Sequence, residues 1–404
     1  MDKVIFHIDV NNAFLSWEAV HRLSNGEELD LRTITSAVAG DRSKRHGIIL
    51  AKSPLAKQYG VKTGEPIVDA LKKCPGLTLV PPNHGLYRQY SEAFIRILMD
   101  FSPSIEKFSI DEAFCDMTGM EALFGPPLEA AEKIRRRIRE ELHFTVNIGI
   151  STNKLLAKMA SDFKKPDMVH TLFPWEIREK MWGLPVGELY SVGQSTVKKL
   201  NTLGIRTIGE LANTDVEILK AHLKKHGELI HSFANGIDAS VIALEETKNK
   251  GYGNSTTISF DVEEESTAKM ILLTLAESVG ARLRKDNVMA NVISVSIVDS
   301  MFRHSSHQMT LLSPTQSTDE IHKAACILFD ELWDQSPIRN LGIQTSKVVD
   351  EDSERQMNLF SFARDEKKAK LEATIDLIRS RYGKTSIQRA SLAGMEEGRK
   401  EKKE

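Results

Sequence analysis

The chain has 404 residues, 41% of them hydrophobic and 27% charged, with a formal net charge of −2. That length exceeds what one hydrophobic core supports, so roughly two to four domains are expected. The composition excludes the disordered and collagen-like classes. A near-neutral charge leaves a nucleic-acid partner open, because a basic groove can be balanced by acidic outer faces.

In chain order, residues 4–8 read as a buried strand that delivers Asp9 at its C-terminal end. A helix is expected over 12–23, stopping at Ser24-Asn25-Gly26. Strands at 34–39 and 48–51 flank a polar, basic turn over 40–47. Short helices at 54–59 and 66–73 follow, then a strand at 77–80. A longer helix over 87–101 leads into two apolar segments that enclose Ser109-Ile110-Asp111-Glu112. Pro126-Pro127 opens a helix over 128–142, since Pro is tolerated in a first helical turn. A strand at 146–150 and a helix at 153–163 complete an α+β or α/β catalytic region.

After Lys164-Lys165-Pro166-Asp167 the texture changes to short helices broken by Gly and Pro. Between about 251 and 349 a new unit is expected, with strands at 256–262 and 291–298 and helices at 268–284 and 318–333. That is a β-α-β-β-α-β pattern. Residues 350–355 read as a charged linker, followed by a last helix over 366–381 and a polar tail. Cys74, Cys115 and Cys326 are far apart and form no CxxC pair, so neither a zinc site nor a disulfide framework is expected. No stretch approaches a membrane span, and a reducing cytoplasmic setting is the expectation.

The chemistry concentrates at Asp9, Asp111 and Glu112. Neighbouring side chains on a strand point to opposite faces, so Asp111 and Glu112 share a site only if the chain turns there. The residues alone leave two readings. Each Asp simply terminates a strand, or the three carboxylates form the oxygen cluster that hard divalent cations require. Unpaired charge in an apolar segment costs several kcal/mol, which favours pairing or a metal.

Three blocks sharpen this. Asp9-Val10-Asn11-Asn12-Ala13-Phe14-Leu15-Ser16-Trp17-Glu18, Phe108 to Asp116 (Phe-Ser-Ile-Asp-Glu-Ala-Phe-Cys-Asp), and Gly149 to Ser161 (Gly-Ile-Ser-Thr-Asn-Lys-Leu-Leu-Ala-Lys-Met-Ala-Ser) occur in this order. Together they resemble the Y-family DNA polymerases, the translesion group, over most of residues 3–345. The resemblance implies an α+β multidomain right hand with a ferredoxin-like palm (1–24 and 76–166), small fingers (25–75) and a helical thumb (167–245). A β-α-β-β-α-β little finger (250–348) and a flexible tail (349–404) would complete it. The implied activity is template-directed DNA polymerisation of low fidelity past damaged template, by a cytoplasmic monomer acting on primer-template DNA and dNTPs.

By the same resemblance Asp9, Asp111, Glu112 and the Val10 carbonyl would hold two Mg²⁺ ions, with Asp111 bridging both. Phe14 falls where the family places an aromatic steric gate that excludes a 2′-hydroxyl; without the family it reads as a core Phe of an amphipathic helix. The amides at Asn12 and Ala13 would cradle phosphate at a helix N-terminus. Lys154 opens a helix directly after a strand, and Lys57 matches a basic fingers position, so both are nucleotide-binding candidates. Either alone would read as a solvated surface lysine. Pro54 stands where relatives carry a Tyr, leaving Ser53, Lys52 or backbone amides as substitutes for the lost phenol.

Residues 189–200 look like a helix-hairpin-helix in which Ser191, Gly193 and Ser195 would meet a DNA phosphate without reading bases. Ser191 stands where many such hairpins carry Gly. Arg135-Arg136-Arg137-Ile138-Arg139 is interleaved with Glu129, Glu132, Glu140 and Glu141, and reads as a solvated, ion-paired helix face. Gln356-Met357-Asn358-Leu359-Phe360 resembles the peptide by which bacterial polymerases dock on the sliding clamp, with Gln356, Leu359 and Phe360 as anchors. A nucleotide cyclase also sets paired carboxylates on such a palm but lacks the hairpin, the extra domain and the clamp-like peptide. A non-catalytic family adaptor loses the metal carboxylates, and this chain keeps all three.

Overall fold

The computed structural model describes residues 3–41, 47–243, 248–351, 362–383 and 385–392. Two compact units divide the chain, with residues 47–246 and 1–40 in the first and the residues from 247 onward in the second.

The first unit begins with β1 (Ile5–Val10), buried at every position, which turns into α1 (Ala13–Ser24). A small sheet follows, built from β2 (Ser36–Ala39) and β3 (Ile49–Lys52), then α2 (Pro54–Gln58), α3 (Ile67–Lys73) and β4 (Thr78–Val80). Next is α4 (His84–Met99), which starts earlier than the apolar pattern indicates. The Asn83 side chain accepts from Leu86 N at 3.1 Å and caps it there.

The main sheet takes β5 (Ile105–Lys107) and β6 (Glu112–Asp116), then, past α5 (Glu121–Phe124) and α6 (Pro127–Leu142), β7 (Val146–Ser151). Helix α7 (Lys154–Asp162) leads to β8 (Val169–Thr171), a strand too short for its alternation to show in the sequence. The order is β5-β6-β1-β7-β8, with β1 central and antiparallel to both neighbours. Period-two alternation splits β1 between two layers. Phe6, Ile8 and Val10 join a core with Trp17 of α1, Phe94 and Leu98 of α4, and Ile134 and Ile138 of α6. Each such fully buried side chain contributes on the order of 2 kcal/mol.

On the other face, Ile5 and Phe114 pack on Ala157 of α7. That helix lies very close to β7. A side-chain carbon at Gly149 would sit 1.9 Å from the Ala157 carbonyl oxygen, so only glycine fits. The rest of this unit is short helices: α8 (Ile177–Lys180), α9 (Gln194–Thr202), α10 (Ile208–Ala212), α11 (Val216–Leu223) and α12 (Lys225–Ala234). They enclose Leu200, Ile208, Leu211, Leu219 and Ile230.

The second unit has the expected β-α-β-β-α-β order: β9 (Gly253–Val262), α13 (Glu265–Lys285), β10 (Val288–Asp299), β11 (His304–Thr315), α14 (Thr318–Leu332) and β12 (Ile338–Asp350). All its strand pairs are antiparallel, in the order β11-β10-β12-β9. Its strands outrun the sequence estimate because pairing continues into polar segments, and β12 reaches Asp350, the first residue assigned to the linker. Helix α15 (Phe362–Tyr382) is held on α13 and α14 rather than forming part of a loose tail. Arg284 Nε lies 2.6 Å from Asp376 Oδ2, and Glu372 accepts from Thr318 N at 2.9 Å, capping α14. Beyond it, Arg389 bonds Glu277 at 3.0 Å and Asp319 at 2.8 Å. Among the described residues, no helix is long and apolar enough to cross a membrane.

Candidate active site

Asp9 and Glu112 are directly opposed across the β1–β6 pair, so their side chains leave the same face of the sheet. Residues 108–111 form the turn between β5 and β6, closed by Phe108 N and Ser109 N donating to the Glu112 carbonyl at 3.0 and 3.1 Å. Asp111 lies in that turn, ahead of β6, and the pleat no longer forces it away from Glu112. Its backbone meets β1 through Val10 N donating to the Asp111 carbonyl at 3.0 Å. Its carboxylate accepts from Ser109 Oγ at 2.8 Å.

Two lysines neutralise this acidic face. Lys158 Nζ lies 2.6 Å from Glu112 Oε1, and Lys165 Nζ lies 2.5 Å from Asp9 Oδ2. Burial pushes the Asp9 pKa up to about 6; Lys165 pulls the other way and the nearby Glu112 charge adds to the rise. Two residues back on the same face, His7 is fully buried, its Nδ1 paired with Ser161 Oγ at 2.8 Å. Its pKa is held well below the usual value, first by burial and then by the Lys158 and Lys165 charges.

Among the described residues, no group of three His, Cys, Asp or Glu side chains stands at metal-holding spacing. The donor set nonetheless suits a hard cation: carboxylate and carbonyl oxygens only, with Asp9 buried and set against a second acid. The residues present therefore fit divalent metal ions.

The β1–α1 turn is polar and fixed. Asn12 adopts a left-handed conformation (φ 48°), and α1 starts with neither a side-chain cap nor an acidic residue in its first turn. Its first amides are thus open to an anion beside Asp9 and Val10. Phe14 is half-buried and stacks on Tyr87, ring centroids 4.4 Å apart at 15°, with His84 edge-on at 6.0 Å. The Tyr87 hydroxyl is anchored on buried Glu18 at 2.8 Å.

Lys154 opens α7 directly after β7, as the sequence indicates. Its ammonium sits on Glu106 at 2.7 Å and over the Phe114 ring at 4.9 Å. Glu106 pairs with Phe114, two positions from the Asp9–Glu112 level, which is roughly 7 Å along the sheet. A lysine opening α7 lies more than a turn before Lys158, so it meets the far end of the strand. Lys165, which sequence reasoning passed over as part of a domain boundary, is the cation that reaches Asp9. The signal was present as a Lys-Lys-Pro run starting three residues past the third block.

In the small sheet, Lys57 is exposed on α2 and no described contact joins it to the acidic face. Ser53 is buried as the cap of α2, accepting from Ala56 N, so its hydroxyl does not replace the missing phenol. Lys52 stands on Thr63 at 3.1 Å, its pKa lowered by burial and by neighbouring Lys57. In the hairpin, Ser191, Gly193 and Ser195 are all exposed, Gly193 opens α9 without a side-chain cap, and Ser191 takes a positive φ of 74°. Arg135 and Arg137 of α6 pair with Glu132 and Glu141 on their own helix, as read, and reach further to Asp167 and Asp100, while Arg139 also pairs with Asp167. Gln356, Leu359 and Phe360 lie outside the described residues.

Residues 8–162 match the impB/mucB/samB family, residues 249–359 its C-terminal domain, and residues 187–238 the thumb domain of DNA polymerase-iota. The chain is 48% identical over 401 residues to DNA polymerase IV of Clostridium acetobutylicum, covering 98% of this chain and 100% of that protein. It is 36% identical to DNA polymerase IV 1 of Bacillus subtilis, covering 98% of this chain and 95% of the relative. Among solved structures, a Y-family DNA polymerase chimera superposes with a TM-score of 0.73 at 22% identity, covering 86% of this chain and 99% of the other.

Proposed function

The chain belongs to the Y family of DNA polymerases, in the polymerase IV group, and on that footing we propose how its residues carry out template-directed addition of dNTPs past damaged template. The supporting observation is the acidic face itself: Asp9 opposed to Glu112, Asp111 in the adjoining turn, and two lysines in contact with the carboxylates.

Asp9, Asp111, Glu112 and the Val10 carbonyl would hold two Mg²⁺ ions, which supply a more acidic primer 3′-hydroxyl and neutralise the triphosphate and its leaving group when bound. Lys165 stands at the solvent edge of this face, where its ammonium donates to triphosphate oxygens. The amides of Asn12 and Ala13 receive phosphate at the start of α1. Lys57 adds a positive charge from α2. Phe14, backed by Tyr87, presents a fixed ring to the sugar, and a 2′-hydroxyl collides with it.

Ser191, Gly193 and Ser195 offer exposed backbone to a DNA phosphate, which holds the duplex without reading sequence. Gln356, Leu359 and Phe360 dock the enzyme on a sliding clamp, and it acts as a cytoplasmic monomer. Primer extension with the purified protein tests this reading. Incorporation that is abolished in Asp111→Ala is expected, and no incorporation by the intact chain would overturn it.

A further inference from the structure

Asn147 lies directly opposite Asp9 in the β1–β7 pair and is fully buried. A buried amide without partners costs about 1–3 kcal/mol, yet this one makes all four bonds open to it. Its Nδ2 donates to the carbonyls of Ser161 at 3.0 Å and Lys164 at 2.7 Å. Its Oδ1 accepts from Met168 N at 3.3 Å and from Asn11 Nδ2 at 3.1 Å. Asn11, itself buried, uses its own Oδ1 to accept from Asp167 N at 2.9 Å and from the Thr145 hydroxyl at 3.0 Å.

Most of these bonds have a common direction. The two amides grip the last turn of α7 at residue 161 and the α7–β8 connection at 164, 167 and 168, on both sides of Lys165. Two of the six bonds, Asn11 to Asn147 and Thr145 to Asn11, tie the pair to its own strands. The other four refer the chain after α7 to the very register position that carries Asp9. From outside, Arg135 holds the Asp167 carboxylate at 2.9 Å. A free lysine stem loses up to about 2 kcal/mol of rotamer entropy when it is fixed. Fixing the backbone beneath it leaves only the stem to be ordered, and ion pairs to Asp9 and Asp162 hold the ammonium at that edge before any nucleotide arrives.

We propose that Asn11 and Asn147 are positioning residues that set the Lys165 ammonium for the triphosphate of the incoming nucleotide. The inference rests on the polymerase reading above. Single-nucleotide incorporation is measured for the intact protein, Asn147→Ala, Lys165→Ala and the double variant, together with hydrogen exchange over residues 164–168. Asn147→Ala is expected to raise KM for dNTP about tenfold, the loss of one charge-assisted contact, with kcat within about twofold. The double variant is expected to be no worse than Lys165→Ala, and the Asp167 and Met168 amides to lose protection.

Asn147→Thr, which keeps one hydroxyl on a strand-compatible residue, is expected to fall between, and it replaces Asn147→Ala in the cycle if that variant does not fold. No incorporation by the intact protein overturns the polymerase reading and this inference with it. With incorporation present, additive losses in the double variant, or a fall in kcat at unchanged KM, overturn the positioning role alone.

Discussion

Phe14 lies flat on Tyr87, with ring centroids 4.4 Å apart and planes 15° from parallel. A ring so supported does not yield when a larger sugar presses on it, which is what a steric gate requires. Phe14→Ala is therefore expected to admit ribonucleotides, raising rNTP incorporation relative to dNTP by on the order of a hundredfold, the scale of a relieved collision of about 3 kcal/mol. Unchanged sugar discrimination in competition assays would refute the assignment.

His7 gives a pH dependence whose sign follows from its environment. Its folded pKa lies well below the usual 6.5 because burial and two lysines disfavour the imidazolium. The unfolded chain therefore binds a proton first as pH drops, and stability declines below about pH 6.5. His7→Gln is expected to flatten that slope in thermal unfolding between pH 6.5 and 5. An equally steep slope in the variant would assign the acid sensitivity to other groups.

Ser191 carries a left-handed backbone, φ 74°, at the tip of the hairpin. Such a conformation costs a residue with a side chain about 1–2 kcal/mol that glycine avoids, partly offset by glycine's freer unfolded state. Ser191→Gly is expected to raise the unfolding midpoint by a few degrees, about 0.5–1 kcal/mol, while primer-template affinity holds or improves. A lower midpoint would show that the serine side chain makes a contribution of its own.

For the segment past the second unit, replacing Leu359 and Phe360 together with Ala is expected to weaken clamp binding about a hundredfold, the worth of two apolar anchors, and to leave distributive synthesis intact. Equal clamp affinity in a pull-down or titration would discard the peptide.

How much of this was legible in the sequence varied with the range of the interaction. The Asp9 strand, the Asp111-Glu112 turn and the β-α-β-β-α-β order of the second unit follow from local pattern, and all are present in the fold. Helix α4 was misplaced by part of a turn because Asn83, a cap, reads as loop until its bond to Leu86 is seen. Lys154 and Lys165 were distinguished only by tertiary placement. Eleven positions apart in sequence, they flank one helix, and which of them faces Asp9 depends on the closeness of α7 to β7, set by Gly149. The amide pair at Asn11 and Asn147 carried no local signal, since an asparagine in a strand pattern is simply unfavourable until its partners are known.

The last helix shows what a shortened version of this protein would face. Arg284 has its charge met by Asp376 and Glu372, and Glu277 is met by Arg379 and Arg389, all from beyond residue 361. Arg284 and Glu277 are only 12% and 13% exposed. Cutting the chain after β12 strips both of their counter-charges at once and uncovers the faces of α13 and α14 on which the last helix lies. A fragment trimmed to the visible sheet domain would be a poorer folder than its core promises, and the C-terminal end of the chain belongs in any preparation meant to report native stability.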